Sequence, residues 1–141
     1  MQTDTGQNSS ISGSLTTEPD HFSEDAWDLL LKSQDVAKQW KHLYLDVEHL
    51  IQVIFNDQSY KRFISCFQIN SSIVLDQLEE FLIDQPIRRG EEFFIGDSLE
   101  DLLENADHCR SQWGSKLIEI SHLLIAIGRD PRIGSSLFEN N

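Results

Sequence analysis

The sequence predicts an all-α fold built as a double four-helix repeat, with the second copy truncated by one helix. Three observations carry this. First, Glu24–Asp57 and Asp97–Asp130 align without a gap at an offset of 73 residues. Asp28-Leu29-Leu30 falls on Asp101-Leu102-Leu103, Gln39-Trp40 on Gln112-Trp113, and His49-Leu50 on His122-Leu123. Second, the apolar residues of both copies recur close to a helical period. Third, no segment reads as a strand; the nearest candidate, Leu117–Ile120, is too short and leads straight into a helix. One supersecondary unit is used twice, and two packed half-domains leave grooves at their junction.

Residues 1–21 form the expected lead-in, polar and poor in apolar side chains, with the composition of a disordered segment. The folded part is expected over 22–141: repeat one at 22–83, a loop at 84–96 and repeat two at 97–141. Ser23 is a good N-cap, and Glu24 and Asp25 favour the positive end of a helix that runs to about Lys41. Its apolar set is Ala26, Trp27, Leu30, Leu31, Val36, Ala37 and Trp40. Asp46 caps a second helix, Asp57 a short third one, and Asn70-Ser71 opens a fourth. Gln85-Pro86 ends the fourth, because the residue before proline avoids helical geometry. Gly96-Asp97 opens the second copy, and Gly114 closes its long helix at the C′ position. A further helix starts near Glu119. Asp130-Pro131 predicts a last short helix over Pro131–Glu139. At the same offset, the counterpart of the fourth helix would fall past Asn141.

The net charge of −13 excludes nucleic acid as a partner, since no Lys/Arg stripe offsets it. Acidic residues concentrate in Glu91–Asp107, which reads as a solvated face or as a patch that steers basic segments of a partner. No apolar run approaches the roughly 20 residues of a membrane span. Cys66 and Cys109 sit inside helical patterns and read as small buried hydrophobes of a reducing compartment. The polar first 20 residues, without a basic start or an apolar core, are not expected to act as a secretory signal. The expected location is cytoplasmic, with no membrane contact.

Catalysis finds no support. Asp97/Asp101 and Glu100/Glu104 lie at i, i+4 on a helix, which marks a solvated face. No Gly-x-Ser-x-Gly elbow and no P-loop occur, so this chain cannot itself be an ATPase. His49 and His122 occupy the third position of equivalent helices. Without a second His or Cys at ligand spacing, they read as capping or packing residues rather than metal ligands. No cofactor is expected.

Several short runs nonetheless resemble one family. Phe22-Ser23-Glu24-Asp25-Ala26-Trp27 is similar to F-T-E-x-A-W, and Asp46-Val47-Glu48-His49-Leu50-Ile51 to T-x-E-H-L-L. Gln85-Pro86, Ile95-Gly96-Asp97-Ser98-Leu99, Ser121-His122-Leu123-Leu124 and Asp130-Pro131-Arg132-Ile133-Gly134 follow in the same order. Together they resemble the N-terminal domain of Clp/Hsp100 chaperone ATPases, in particular the ClpB disaggregase branch. The chain departs from the pattern at Ser115, Glu119 and Ser121, where relatives carry acids or a Ser/Thr cap.

The resemblance implies a module that captures unfolded or aggregated client proteins for an AAA+ ring. An alternative is a free-standing accessory or adaptor subunit docking on a Clp protease or chaperone. The isolated domain is expected to be a monomer. Candidate client- or adaptor-binding residues lie at the repeat junction and the helix starts: Phe22, Trp27, Leu45, Glu48 and Leu117. To these the run Phe93, Phe94 and Ile95 is added; it either tucks onto the core or forms an exposed patch.

Overall fold

The computed structural model of the chain describes residues 18–65 and 67–139. Residues 1–17 of the expected lead-in, and Cys66, lie outside the described part. After a 3-10 turn at Pro19–His21, helix α1 spans Glu24–Trp40. It starts where the Ser23 hydroxyl accepts the Ala26 N–H at 3.2 Å. Its inward stripe is Ala26, Leu29, Leu30, Ser33 and Ala37. It stops where Lys41 turns into the left-handed region at φ 62°. The repeat-equivalent Gly114 makes the same turn at φ 73°, and there glycine avoids the Cβ clash that lysine tolerates.

Helix α2 (Val47–Asn56) is buried along most of its length. Asp57 accepts the Ser59 N–H at 2.9 Å and opens the turn into the short α3 (Lys61–Ile64). Helix α4 spans Ser71–Ile83, with Asn70 accepting the Ile73 N–H at 3.3 Å. The second copy supplies α5 (Asp97–Gln112), α6 (Ile120–Gly128) and α7 (Gly134–Glu139). At the repeat offset α5 matches α1, α6 matches α2 and α7 matches α3. One continuous apolar core runs through both copies, from Phe22 to Leu137. Cys109 is buried in α5. Among the described residues no helix is long and apolar enough to cross a membrane.

The structure departs from the sequence expectation in two places. The last helix starts at Gly134 rather than Pro131. One oxygen of Asp130 accepts both the Ile133 N–H (2.8 Å) and the Gly134 N–H (2.9 Å), which holds 131–133 as a turn. The predominantly helical fold also contains two strands of two residues each, β1 (Tyr44–Leu45) and β2 (Phe94–Ile95), paired in parallel with Leu45 opposite Ile95. Strands this short carry too few residues to show an alternating pattern.

The pairing has the symmetry of the repeat. Ile95 is the offset equivalent of Phe22, and Ile118 that of Leu45. Just as Leu45 pairs with Ile95, Ile118 pairs in parallel with Phe22. The Gly96 N–H donates to the Leu45 carbonyl at 2.8 Å, and the Ser23 N–H to the Ile118 carbonyl at 2.9 Å. Each copy therefore hands the start of its long helix to the other copy.

Gly134 tests the packing behind α7. A Cβ there would sit 1.9 Å from the Ile127 carbonyl oxygen, whereas one on Gly90 would meet nothing within 4 Å. Gly134→Ala is expected to destabilise the fold by about 1–3 kcal/mol through backbone displacement. Gly90→Ala is expected to leave the calorimetric midpoint nearly unchanged.

Candidate functional site

The crossed pairing opens a cleft on either side of the repeat junction. Tyr44 is the offset equivalent of Leu117, and Asp97-Ser98 of Glu24-Asp25. The two clefts are therefore counterparts, but their linings differ.

The first cleft, about 430 Å³, is polar and lies between Tyr44, Asp46, Gln85, Asp97 and Arg132. Arg132 comes from the turn before α7 and reaches back to the first copy. Its guanidinium forks onto the Glu48 carboxylate, with Nη2 3.2 Å from Oε2 and Nη1 on Oε1. Nη2 also donates to Gln85 Oε1 at 2.7 Å, and the group stacks over Phe81 with its carbon 4.8 Å from the ring centre. Glu48 is 2% exposed, so this is a buried charge whose partner comes from the other repeat. The neighbouring anion and its hydrogen bonds raise the Arg132 pKa further, against the cost of burial.

Asp46 sits beside this pair, 3.6 Å from Arg132. Its carboxylate caps α2 through the Val47 N–H at 2.9 Å. It also takes the place of a cap on α5. Gly96 has no side chain, and a Cβ there would lie 1.9 Å from Asp46 Oδ2. The Leu99 N–H, equivalent to the Ala26 N–H that Ser23 caps, instead favours the charged Asp46. Burial outweighs these donors and, with the Glu48 charge, pushes the Asp46 carboxyl up to about 7.

Behind Asp46 runs a chain of two histidines. The Asp46 N–H donates to His49 Nδ1 at 3.0 Å, which makes Nε2 the protonated nitrogen. His49 Nε2 then meets His42 Nδ1 at 2.8 Å. Burial and the neighbouring His42 hold His49 neutral, down to about 3, and burial lowers His42 as well. In the second copy the Glu119 N–H donates to His122 Nδ1 at 2.9 Å. Ser115 stands where His42 would be, and the His122 Nε2 has no hydrogen-bond partner among the described residues. Both repeated histidines thus act as helix-start caps. Their spacing hinted at the role, whereas the contact with His42 was not evident from sequence.

The second cleft, about 660 Å³, is lined by Pro19, Phe22, Trp27, Leu31 and Leu117, with Asp20, Glu24, Asp25 and Asp28 around it. Phe22 forms its buried base and packs against Trp27 with ring centres 5.5 Å apart. Leu31 is 46% exposed and Leu117 38%, so the rim is open apolar surface. Leu31 is absent from the binding candidates read from sequence and stands there only in the apolar set of the first helix. Its signal is that Trp27 and Leu31, four apart, form a stripe separate from Ala26, Leu29, Leu30 and Ala37.

The sequence candidates divide between buried and accessible positions. Phe22, Trp27 and Leu117 meet in the apolar cleft. Phe94 stands exposed beside Tyr44, ring centres 6.2 Å apart, above the polar cleft. Phe93, Ile95, Leu45 and Glu48 are buried. The three-residue run thus points in, out and in. Within 91–107 the acids Glu91, Glu92, Asp97, Glu100, Asp101 and Glu104 are exposed and Asp107 is half-buried, while the apolar residues Leu99, Leu102 and Leu103 between them face the core.

Comparison with known proteins follows this geometry. The family model of the Clp repeat (R) N-terminal domain matches residues 21–141. The chain is 53% identical over 126 residues to chaperone protein ClpB 2 of Parasynechococcus marenigrum, covering 89% of this chain and 14% of the relative. It is 36% identical over 124 residues to ClpB 2 of Thermosynechococcus vestitus, covering 86% of this chain and 14% of the relative. The chain thus spans about a seventh of the length of these curated relatives. Among solved structures, the Hsp104 N-terminal domain from Candida albicans superposes with a TM-score of 0.73 at 16% identity, covering 84% of this chain and 80% of that one. The N-terminal domain of the ClpV1 ATPase from E. coli superposes with a TM-score of 0.66 at 16% identity, covering 85% and 82%.

Two outcomes are expected of the polar cleft. Arg132→Met leaves Glu48 buried and unpaired, and should cost about 3 kcal/mol in denaturant melts, toward the low end for a buried pair because the arginine is partly open to solvent. Glu48→Leu combined with Arg132→Met should cost less than Arg132→Met alone. The second outcome concerns pH. The Asp46 carboxyl titrates higher folded than unfolded, so its contribution to stability is full below about pH 4 and is lost as pH rises through about 7. The stability difference between the parent chain and Asp46→Asn should therefore shift in favour of the variant across that window, as read by melting temperature at stepped pH.

Proposed function

The chain belongs to the Clp repeat N-terminal domain family, and on that premise we propose that it captures unfolded or aggregated polypeptide for the ATPase ring of a ClpB-like disaggregase. The matched family is the front module of such chaperones and not their ATPase module, which fits the absence of a P-loop from the sequence. The observation that carries the reading is the apolar cleft at the repeat junction. Its open rim of Trp27, Leu31 and Leu117 is surface a soluble domain has little reason to leave bare unless a partner covers it.

The size of the cleft suits weak capture. Burying one or two client side chains there is worth about 1.5–3 kcal/mol each. Association costs consume much of that gain. A single domain therefore holds a client loosely, and several domains on one ring raise the effective concentration enough to retain it. Clients so held can still be released into the ring. Phe94 and Tyr44 extend the contact surface across the junction; buried Leu45, Phe93 and Ile95 shape the backbone that presents it.

Leu31→Ser and Leu117→Ser remove rim surface without opening the core. Each is expected to lower retention of an unfolded model protein several-fold, with the melting temperature kept. Phe94→Ser should lower it less. Undiminished retention in the Leu31→Ser/Leu117→Ser double variant would remove the cleft as the capture site.

A further inference from the structure

We propose that the apolar cleft selects client segments in which lysine or arginine alternates with aliphatic or aromatic residues. The inference rests on the client-capture reading of the same cleft and adds the chemistry of what it takes.

The argument starts from one face of α1. Glu24, Trp27, Asp28 and Leu31 lie at i, i+3, i+4 and i+7, so an acid, an aromatic, an acid and an aliphatic follow one another along a single stripe. At a rise of about 1.5 Å per residue the stripe is about 10 Å long, roughly three residues of extended polypeptide. Asp20 and Asp25 add carboxylates at its start, and Leu117 closes the opposite wall. Among the described residues no lysine or arginine lines the cleft.

The carboxylates are not all committed within the fold. Asp28 is 3.2 Å from Lys32, and Asp25 is 3.7 Å from Arg62. Asp20 and Glu24 are exposed, and among the described residues neither forms an ion pair with a lysine or arginine. Helix capping accounts for Glu24 and Asp25 at the first turn of α1. Asp28, a turn further in, is held by Lys32, which leaves Asp20 in the 3-10 turn and Glu24 as the carboxylates with no lysine or arginine partner among the described residues.

The second copy provides an internal contrast. At the equivalent stripe of α5 the acids remain, as Asp97 and Asp101, but Trp27 is replaced by Glu100 and Leu31 by Glu104. Of these two equivalent stripes, that of α1 combines anions with open apolar surface and that of α5 does not. The net charge of −13 adds long-range attraction for cationic segments. A client with apolar side chains on Trp27, Leu31 and Leu117 thereby brings its neighbouring cations to Asp20 and Glu24.

The test uses the full chain and three fluorescein-labelled short peptides with one apolar core, flanked by lysine, serine or glutamate, read by fluorescence anisotropy. The lysine-flanked peptide should bind about tenfold tighter than the glutamate-flanked one at low salt. The gap should close at about 0.5 M salt. Asp20→Asn combined with Glu24→Gln should shrink the preference to about twofold, while Glu79→Gln with Glu80→Gln, the same charge change on exposed α4 positions, should leave it intact. Equal binding of all three peptides, or a preference untouched by the Asp20/Glu24 variant, overturns the proposal. The serine-flanked peptide reads the cleft alone. If Leu31→Ser/Leu117→Ser weakens it while charge has no effect, capture stands and the selectivity falls. If that peptide does not bind, both fall.

Discussion

The exchange of hydrogen bonds between the two copies sets everything else in place. Gly96 donates to Leu45 and Ser23 donates to Ile118, so the first residues of each long helix are positioned by the other half. A backbone amide at a helix start has no partner within its own helix and must find one elsewhere. Here the partner is supplied across the pseudo-twofold. Neither half is satisfied alone, and the junction is tied by backbone hydrogen bonds in both directions.

That constraint explains why equivalent clefts came to differ. On one side Ser23 caps α1 itself, so the space above it can be given to Trp27, Leu31 and Leu117. On the other, Gly96 has no cap, and Asp46 fills its place against the backbone of α5. A buried carboxylate then requires polar company, and Glu48, Arg132 and Gln85 supply it. One cleft is consumed by internal charge pairing and the other stays apolar and open. The difference traces back to a serine in one copy and a glycine in the other.

Much of this was legible in the residue order. The caps at Ser23, Asp46, Asp57 and Asn70 and the closing Gly114 follow from local spacing, because helix starts and stops are set by neighbours a few residues away. The repeat follows from the offset, and the family from the resemblance of short runs. What escaped was set by contacts distant in sequence. Nothing local marks Arg132 as the partner of Glu48, 84 residues earlier. Two-residue strands leave no periodic trace, and the helical period collects Leu31 with the apolar residues of α1 although it is exposed. The start of α7 was misplaced because Asp130 caps from a wider turn than a proline at the first helical position implies.

The crossed pairing also bears on the order in which the chain can fold. Phe22 meets Ile118 across most of the folded sequence, a contact of high sequence separation whose loop closes slowly compared with any helix–helix pair inside one copy. The open cleft has Phe22 as its base and Leu117 as its far wall, so it exists only after that closure. The shape of that cleft therefore depends on a contact between chain segments almost a hundred residues apart, and neither copy builds it alone.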